Sequence, residues 1–427
     1  MKERILSALR QCGIETWRIN ETIEETSELF FVRQQLDTRR TKDVRKYELT
    51  VFREAEGPDG QRLLGTTSVP LTASMDDAQL TDALQSAYYA AQFAANPCYE
   101  LPDPVQAPLA RKTGELSEAP LAESAGKMVK ALFAADVHED AFINSAELFV
   151  SRVSCHILSS NGTDVSYTDA KVSGEFVVQC REPEDVEIHN IYSYDALDAK
   201  ALTGKVAEAL DFVRDRARAQ RVLKSGSYDV VLSGSAVREV LSYYVQRSGA
   251  QAVYMKYSTW QHGEAVQGED IPGERLDLTL VATTPYSEEG IPMADLPLLR
   301  DGRLEAYHGP NRFCRYLGVK PTGTYQKLLC ANGSQSFAEL KKGPCLWAVT
   351  FSDFQMDAAS GHFGGEIRLA YLIDGGTVTP VTGGSINGSI LEAQKSLTFS
   401  TERYVTASYD GPYALWLKDV RIAGAAG

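Results

Sequence analysis

No run of about 18 apolar residues occurs in this 427-residue chain, so no transmembrane helix is expected. The start, Met-Lys-Glu-Arg-Ile-Leu-Ser-Ala-Leu-Arg, is charged and amphipathic and lacks the apolar centre of a signal peptide. None of the seven cysteines (Cys12, Cys98, Cys155, Cys180, Cys314, Cys330, Cys345) belongs to a Cys-x-x-Cys pair, their number is odd and their spacing wide. That pattern argues against a zinc knuckle or a disulfide framework and fits reduced thiols in a cytoplasmic protein. Positive charge is short as well: 43 Lys and Arg stand against 57 Asp and Glu, a net charge of −14. Such a chain repels phosphate backbones. Its basic runs, Arg39-Arg40-Thr-Lys42 with Arg45-Lys46 and Arg214 to Arg221, read as solvated faces, so no nucleic-acid or membrane partner is expected. Two motifs are also missing. There is no Gly-x-Ser-x-Gly elbow, and no Gly-Lys-Ser/Thr follows Gly361-x-x-Gly-Gly as a P-loop would need.

What is present is an ordinary globular composition, 44% hydrophobic and 23% charged, with length for two or three domains. Residues 2–12 predict a helix with Ile5, Leu6 and Leu9 on one face, and 76–95 a second with Leu80, Leu84, Ala87, Tyr88 and Ala91 at helical spacing. Between them, residues 28–33, 46–53 and 63–70 alternate as strands, with a turn at Pro58-Asp59-Gly60. Pro97, Pro102, Pro104 and Pro108 mark a linker. A second block then repeats the helix–strands–helix order. Ser117 is placed to cap a helix over about 120–135, strands are expected at 146–158, 164–168 and 174–180 with a Ser159-Ser-Asn-Gly162 turn, and a helix over 195–222. A third block opens with a buried strand at Ser227-Tyr-Asp-Val-Val-Leu-Ser and a helix over 236–246, and continues as turn-punctuated β-structure. The predicted class is α+β: two smaller N-terminal α/β-type domains, 1–108 and 109–224, and a β-rich C-terminal domain, 225–427.

The C-terminal part is the most distinctive. From Phe351 to Gly388 it carries a Ser360-Gly-His362 turn, a Gly364-Gly365 pair, an Asp374-Gly-Gly turn and a second glycine-rich turn, and reads as linked hairpins. Before it come Glu289-Gly-Ile-Pro292, Leu299-Arg-Asp-Gly-Arg-Leu-Glu-Ala-Tyr307, Leu317-Gly-Val-Lys-Pro-Thr-Gly323 and Asn332-Gly-Ser. Together with Ser160-Asn-Gly162 and the Ala-rich 82–95 helix, this order resembles the TldD/PmbA family, once labelled as modulators of DNA gyrase and linked to proteolysis, over nearly the whole chain.

The resemblance implies a zinc metalloprotease chemistry that these residues do not supply. Zinc-bearing members take two histidines and a glutamate from a His-Glu-x-x-x-His helix and a cysteine from near the C-terminus, around a metal with an open position for water. The corresponding helix here, Val231 to Arg247, has no histidine. One register puts Arg238, Glu239 and Tyr243 at the motif positions; another puts Ser242 and Arg247 at the ligand positions. The segment Ala407-Ser-Tyr-Asp-Gly-Pro-Tyr413 has no cysteine. The chain is therefore similar to the metal-free PmbA (TldE) branch, which implies no bound cofactor, with zinc only in a TldD-like partner subunit. A homodimer is the alternative assembly.

On this reading the chain is a cavity wall and partner surface in the proteolysis or maturation of unfolded peptides, held at strand edges. Whether it is an enzyme is left open, since the missing ligands argue against catalysis by the chain alone. The rivals are a self-sufficient peptidase with an atypical site and a non-enzymatic peptide-binding or interaction protein. Asp357, Ser360, His362 and Glu366 are the peptide-cavity candidates; they lie too close in sequence to form a triad assembled from separate segments. His262 reads as a surface-loop histidine, His138 as a helix-to-loop boundary, where the last turn favours a basic side chain, and Cys155 and His156 as strand neighbours facing opposite ways.

Overall fold

The computed structural model describes residues 1–331 and 333–424. Asn332, which opens one of the family-like motifs, lies outside them.

The first block runs α1 (Lys2–Gln11), β1 (Trp17–Val32), β2 (Gln35–Glu56), β3 (Arg62–Leu71) and α2 (Asp77–Ala91), and ends in a short strand, β4 (Ala95–Pro97). The second runs α3 (Glu115–Glu118), α4 (Leu121–Phe133), β5 (Ala141–Ser159), β6 (Asp164–Cys180), β7 (Val186–Tyr194) and α5 (Ala199–Ala217). All seven strands form one sheet in the order β4-β3-β2-β1-β5-β6-β7, with β1 and β5 antiparallel at its centre. Two α-βββ-α units thus meet back to back. Their helix pairs cover the same face: the odd-numbered residues of β1 supply Trp17 and Ile19 to the apolar cluster under α1 and α2, and Leu29 and Phe31 to the cluster under α4 and α5.

Three local expectations need correction. The β1–β2 ribbon is far longer than residues 28–33 and 46–53. Its extra length is made of charged residues, and Lys46–Glu24 at 3.5 Å, Arg45–Glu21 at 3.5 Å and Lys42–Glu28 pair across the two strands. Those ion pairs, with ladder hydrogen bonds, let a hydrophilic sequence run as sheet. The strands expected at 164–168 and 174–180 are one strand, β6, paired without a break to β5 from Asp164 to Lys171 and beyond. Ser117 lies inside α3, and the N-cap of α4 is Pro120.

The third block runs β8 (Gly226–Ser233), α6 (Ser235–Arg247), α7 (Ala250–Tyr254), β9 (Leu278–Val281), β10 (Leu296–Arg300), β11 (Arg303–Leu304), α8 (Asn311–Leu317), β12 (Lys327–Cys330), α9 (Phe337–Leu340), β13 (Cys345–Asp357), β14 (His362–Asp374), β15 (Thr377–Val381), β16 (Ser385–Ser389), α10 (Ile390–Ala393), β17 (Thr398–Phe399), β18 (Arg403–Val405), β19 (Tyr409–Pro412) and β20 (Ala414–Ala423). Two sheets result, β11-β10-β9-β12-β19-β18 and β13-β8-β20-β16-β14-β15, with β17 added beside β20. Buried side chains from both sheets and from α6 share one apolar core, while Val231, Cys345, Leu369, Tyr371 and Ala414 of the second sheet belong to a separate, smaller cluster. The expected hairpin array is there as β13–β14 and β14–β15, with β16 laid against β14. Gly365 is required by close approach: a Cβ there would come within 2.2 Å of the Asp353 carbonyl oxygen.

This block docks on the other face and flank of the first sheet. Asn20 Nδ2 donates to the Glu288 carbonyl at 2.8 Å, from an even-numbered β1 position. The proline-rich segment after β4 packs on α8, where Asn311 Nδ2 donates to the Glu100 carbonyl at 2.7 Å and the Tyr316 hydroxyl to the Pro97 carbonyl at 2.6 Å. Helix α5 is clamped from the other side, its Asp215 accepting from the Tyr371 hydroxyl at 2.5 Å and its Glu208 from the Tyr413 hydroxyl at 2.6 Å.

Candidate functional site

The four candidates in the glycine-rich region occupy one hairpin but not one cluster. Asp357 ends β13, and its carboxylate accepts from the Ala359 N–H at 2.9 Å and the Ser360 hydroxyl at 2.5 Å. Those bonds, the Ser360 hydroxyl first, hold the Asp357 carboxyl below its usual range. His362 opens β14, is exposed, and has its backbone N–H on Ser360 Oγ at 3.3 Å. Glu366 lies four residues along the strand, accepts from the Ser352 hydroxyl at 2.8 Å and pairs with Arg368 at 3.2 Å. Asp357, Ser360 and His362 form an Asx-type turn, and Glu366 stands apart from them. None of the four lines the clefts described next. Cys155 and His156 face opposite ways on β5. His156 Nε2 meets Asp164 at 2.8 Å, whereas Cys155 sits beside Tyr167, its thiol raised by burial. His262 and His138 lie exposed in loops.

The larger feature lies at α6, the helix that stands where the zinc helix is expected. A cleft of about 630 Å³ opens between its first turns, β7, α5 and the strand–loop segment 403–408. Arg238 and Glu239 line it and also line a smaller cleft of about 240 Å³ toward β9 and β12, together with Ser242. Helical spacing explains this grouping, since residues 238, 242 and 246 recur on one face. Tyr243 and Arg247 fall on another face: Tyr243 is buried against Tyr244 and Trp260, and Arg247 reaches the Tyr257 carbonyl.

The segment that would carry the cysteine ligand does meet this helix. Arg238 Nε donates to the Ser408 carbonyl at 3.2 Å, across 170 residues of chain. Helix α6 and the 407–413 segment thus lie side by side, and the side chains at the motif positions of α6 do not fit zinc. A guanidinium offers no lone pair, and the Glu239 carboxylate accepts from the Met356 N–H at 3.2 Å. Among the described residues no three His, Cys, Asp or Glu side chains gather so as to hold a metal ion.

The rest of the cleft combines aromatic walls with engaged charges. Tyr192, Tyr194 and Tyr413 have their phenols raised by burial, so they remain donors at neutral pH. Lys205 Nζ lies 3.3 Å from the Tyr404 hydroxyl, and Arg403 pairs with Asp410. β7 is the outermost strand of its sheet; Ile191 to Tyr194 line this space, and the Ser193 carbonyl accepts from the Ala407 N–H at 2.8 Å. Sequence reasoning located α6 through the motif but missed Lys205, Glu208, Tyr404 and β7. No short-range signal links them, because α5, β7 and β18 meet only through packing.

An α+β chain with a β-rich C-terminal domain and a cleft of about 630 Å³ beside a histidine-free helix is what fold and site define. Residues 225–424 match the PmbA/TldA metallopeptidase C-terminal domain family, in line with the resemblance of the sequence. A stretch of 134 residues is 28% identical to the metalloprotease TldD homolog of Haemophilus influenzae, covering 27% of this chain and 27% of that relative. The chain therefore matches about a quarter of the length of that curated relative. Over whole chains the fold is that of TldE from Thermococcus kodakarensis, at 17% identity and a TM-score of 0.80, covering 99% of this chain and 100% of the other. It is also that of a Thermotoga maritima protein described as a proposed modulator of a DNA gyrase, at 16% identity and a TM-score of 0.77, covering 99% of each.

Proposed function

We propose that this chain is the non-metal subunit, or a homologue of it, in a TldD/PmbA-type protease acting on unfolded peptides. It would contribute cavity wall and partner surface, while zinc belongs to a TldD-like partner. The observation that carries this reading is the meeting of α6, which has no histidine, with the 407–413 segment, which has no cysteine, through the Arg238 bond to the Ser408 carbonyl. The edge of β7 beside the cleft already holds the 403–408 segment by one main-chain bond, Ala407 N–H to the Ser193 carbonyl at 2.8 Å, and main-chain pairing of that kind to a peptide would tolerate many sequences. Asp357, Ser360, His362 and Glu366 would add to the cavity wall from the β13–β14 hairpin once a partner is bound.

The test is purification of the chain alone and co-expressed with a zinc-bearing paralogue. Zinc is then measured by elemental analysis and proteolysis with an unfolded casein-like substrate. The expected result is substoichiometric zinc and no cleavage for the chain alone, with co-purification and cleavage for the pair. Stoichiometric zinc together with cleavage by the chain alone would overturn the proposal.

A further inference from the structure

The cleft beside α6 contains one strong donor without an acceptor. Its acids are engaged: Asp198 accepts from the Ala201 N–H at 2.8 Å, Glu208 from the Tyr413 hydroxyl at 2.6 Å and Glu239 from the Met356 N–H at 3.2 Å. Arg403 is paired with Asp410, and Lys205 lies over the Tyr404 ring at 5.6 Å. Arg238 differs. Its Nε is held by the Ser408 carbonyl, while its two terminal amino groups have no acceptor among the described residues. The side chain is half-buried and lines both clefts, so the guanidinium is oriented and partly desolvated in advance.

We propose that Arg238 makes this cleft a carboxylate site, and that its ligand is the free C-terminal carboxylate of a short peptide. A guanidinium with two free amino groups matches a carboxylate in geometry and charge, and a fixed guanidinium loses little freedom on binding. Lys205 adds positive charge from the facing helix, and Ser235 at the uncapped start of α6 lines the same space. Ile191, Tyr192, Tyr404 and Val405 offer apolar surface for the terminal side chains. The volume falls within the roughly 300–1,000 Å³ of small-ligand sites. The choice of a peptide as the carrier of the carboxylate rests on the peptide-handling reading above; the carboxylate site itself rests on Arg238.

Calorimetric titration of the purified chain with an acetylated apolar hexapeptide, its C-terminal amide, and benzoate tests this. The wild type should bind the acid about tenfold or more tightly than the amide. Arg238→Gln should abolish the difference, and Arg238→Lys should keep part of it. Equal binding of acid and amide by the wild type overturns the carboxylate site and leaves peptide handling standing. Benzoate binding that depends on Arg238, with neither peptide bound, supports the site and removes the peptide reading. No binding of any of the three overturns the site. The acid–amide comparison needs only the wild type, so a failure of Arg238→Gln to fold does not blunt the test.

Discussion

His308 shows how one side chain ties stability to pH. Its Nε2–H donates to the Val245 carbonyl at 2.8 Å, with the Tyr325 ring edge-on at 6.4 Å. That tautomer leaves Nδ1 enclosed and without a partner. Burial lowers its pKa below the ordinary 6.5, because a proton on Nδ1 would place charge where nothing accepts it. The folded state thus favours the neutral ring. This contribution is fully present above about pH 6.5 and falls away as pH drops toward the folded-state value, at no more than about 1.4 kcal/mol per pH unit. Urea midpoints measured from pH 7.5 to 5.5 should decline for the wild type and decline less for His308→Gln, which keeps a donor but cannot take up the proton. An unchanged slope in the variant would assign the effect to another group.

At the scale of elements, α4 carries a plain inefficiency. Gly126 lies exposed in its interior, and a Cβ there meets nothing within 4 Å. Gly126→Ala should stabilise the protein by about 1 kcal/mol through reduced unfolded-state freedom and better helix propensity, read as a higher urea midpoint at unchanged m-value. Helices of this kind were legible from spacing alone: α1, α2, α5 and α6 sit close to where apolar periodicity placed them. The long strands were less legible. β1 and β2 are rich in Glu, Lys and Arg, and their sheet character depends on opposite charges meeting across the ribbon, which a reading along one strand does not contain. β7 went unread for a related reason: it lies at a sheet edge and is stabilised by β6 alone on its ladder side.

At the scale of the molecule, the proline-rich segment and α8 join the first sheet to the C-terminal domain. Asn311 is fully buried, donates its side-chain amide to the Glu100 carbonyl at 2.7 Å, and donates its backbone N–H to Glu289 Oε2, also at 2.7 Å. Asn311→Ala removes the donor from the carbonyl of the exposed Glu100, a loss of about 0.5–1.5 kcal/mol. Limited proteolysis should then cut the 98–113 segment several-fold faster than in the wild type, while the pace of cleavage elsewhere changes less. Equal cleavage rates would show that the segment is held by other contacts. Among the described residues no helix is long and apolar enough to cross a membrane.

By itself the sequence determined what acts over a few residues: helix faces, tight turns, the glycine-rich hairpins, the acidic balance, and the side-chain types at the motif positions of α6. Only the tertiary structure decided what those residues meet. It joined two blocks into one sheet through β1 and β5, placed the Ser360-Gly-His362 turn outside the clefts, and brought Arg238 to Ser408. The reason is physical. Propensity and turn chemistry are local free energies, whereas a contact across 170 residues exists only when the packing of whole elements offsets the entropy of closing the chain between them.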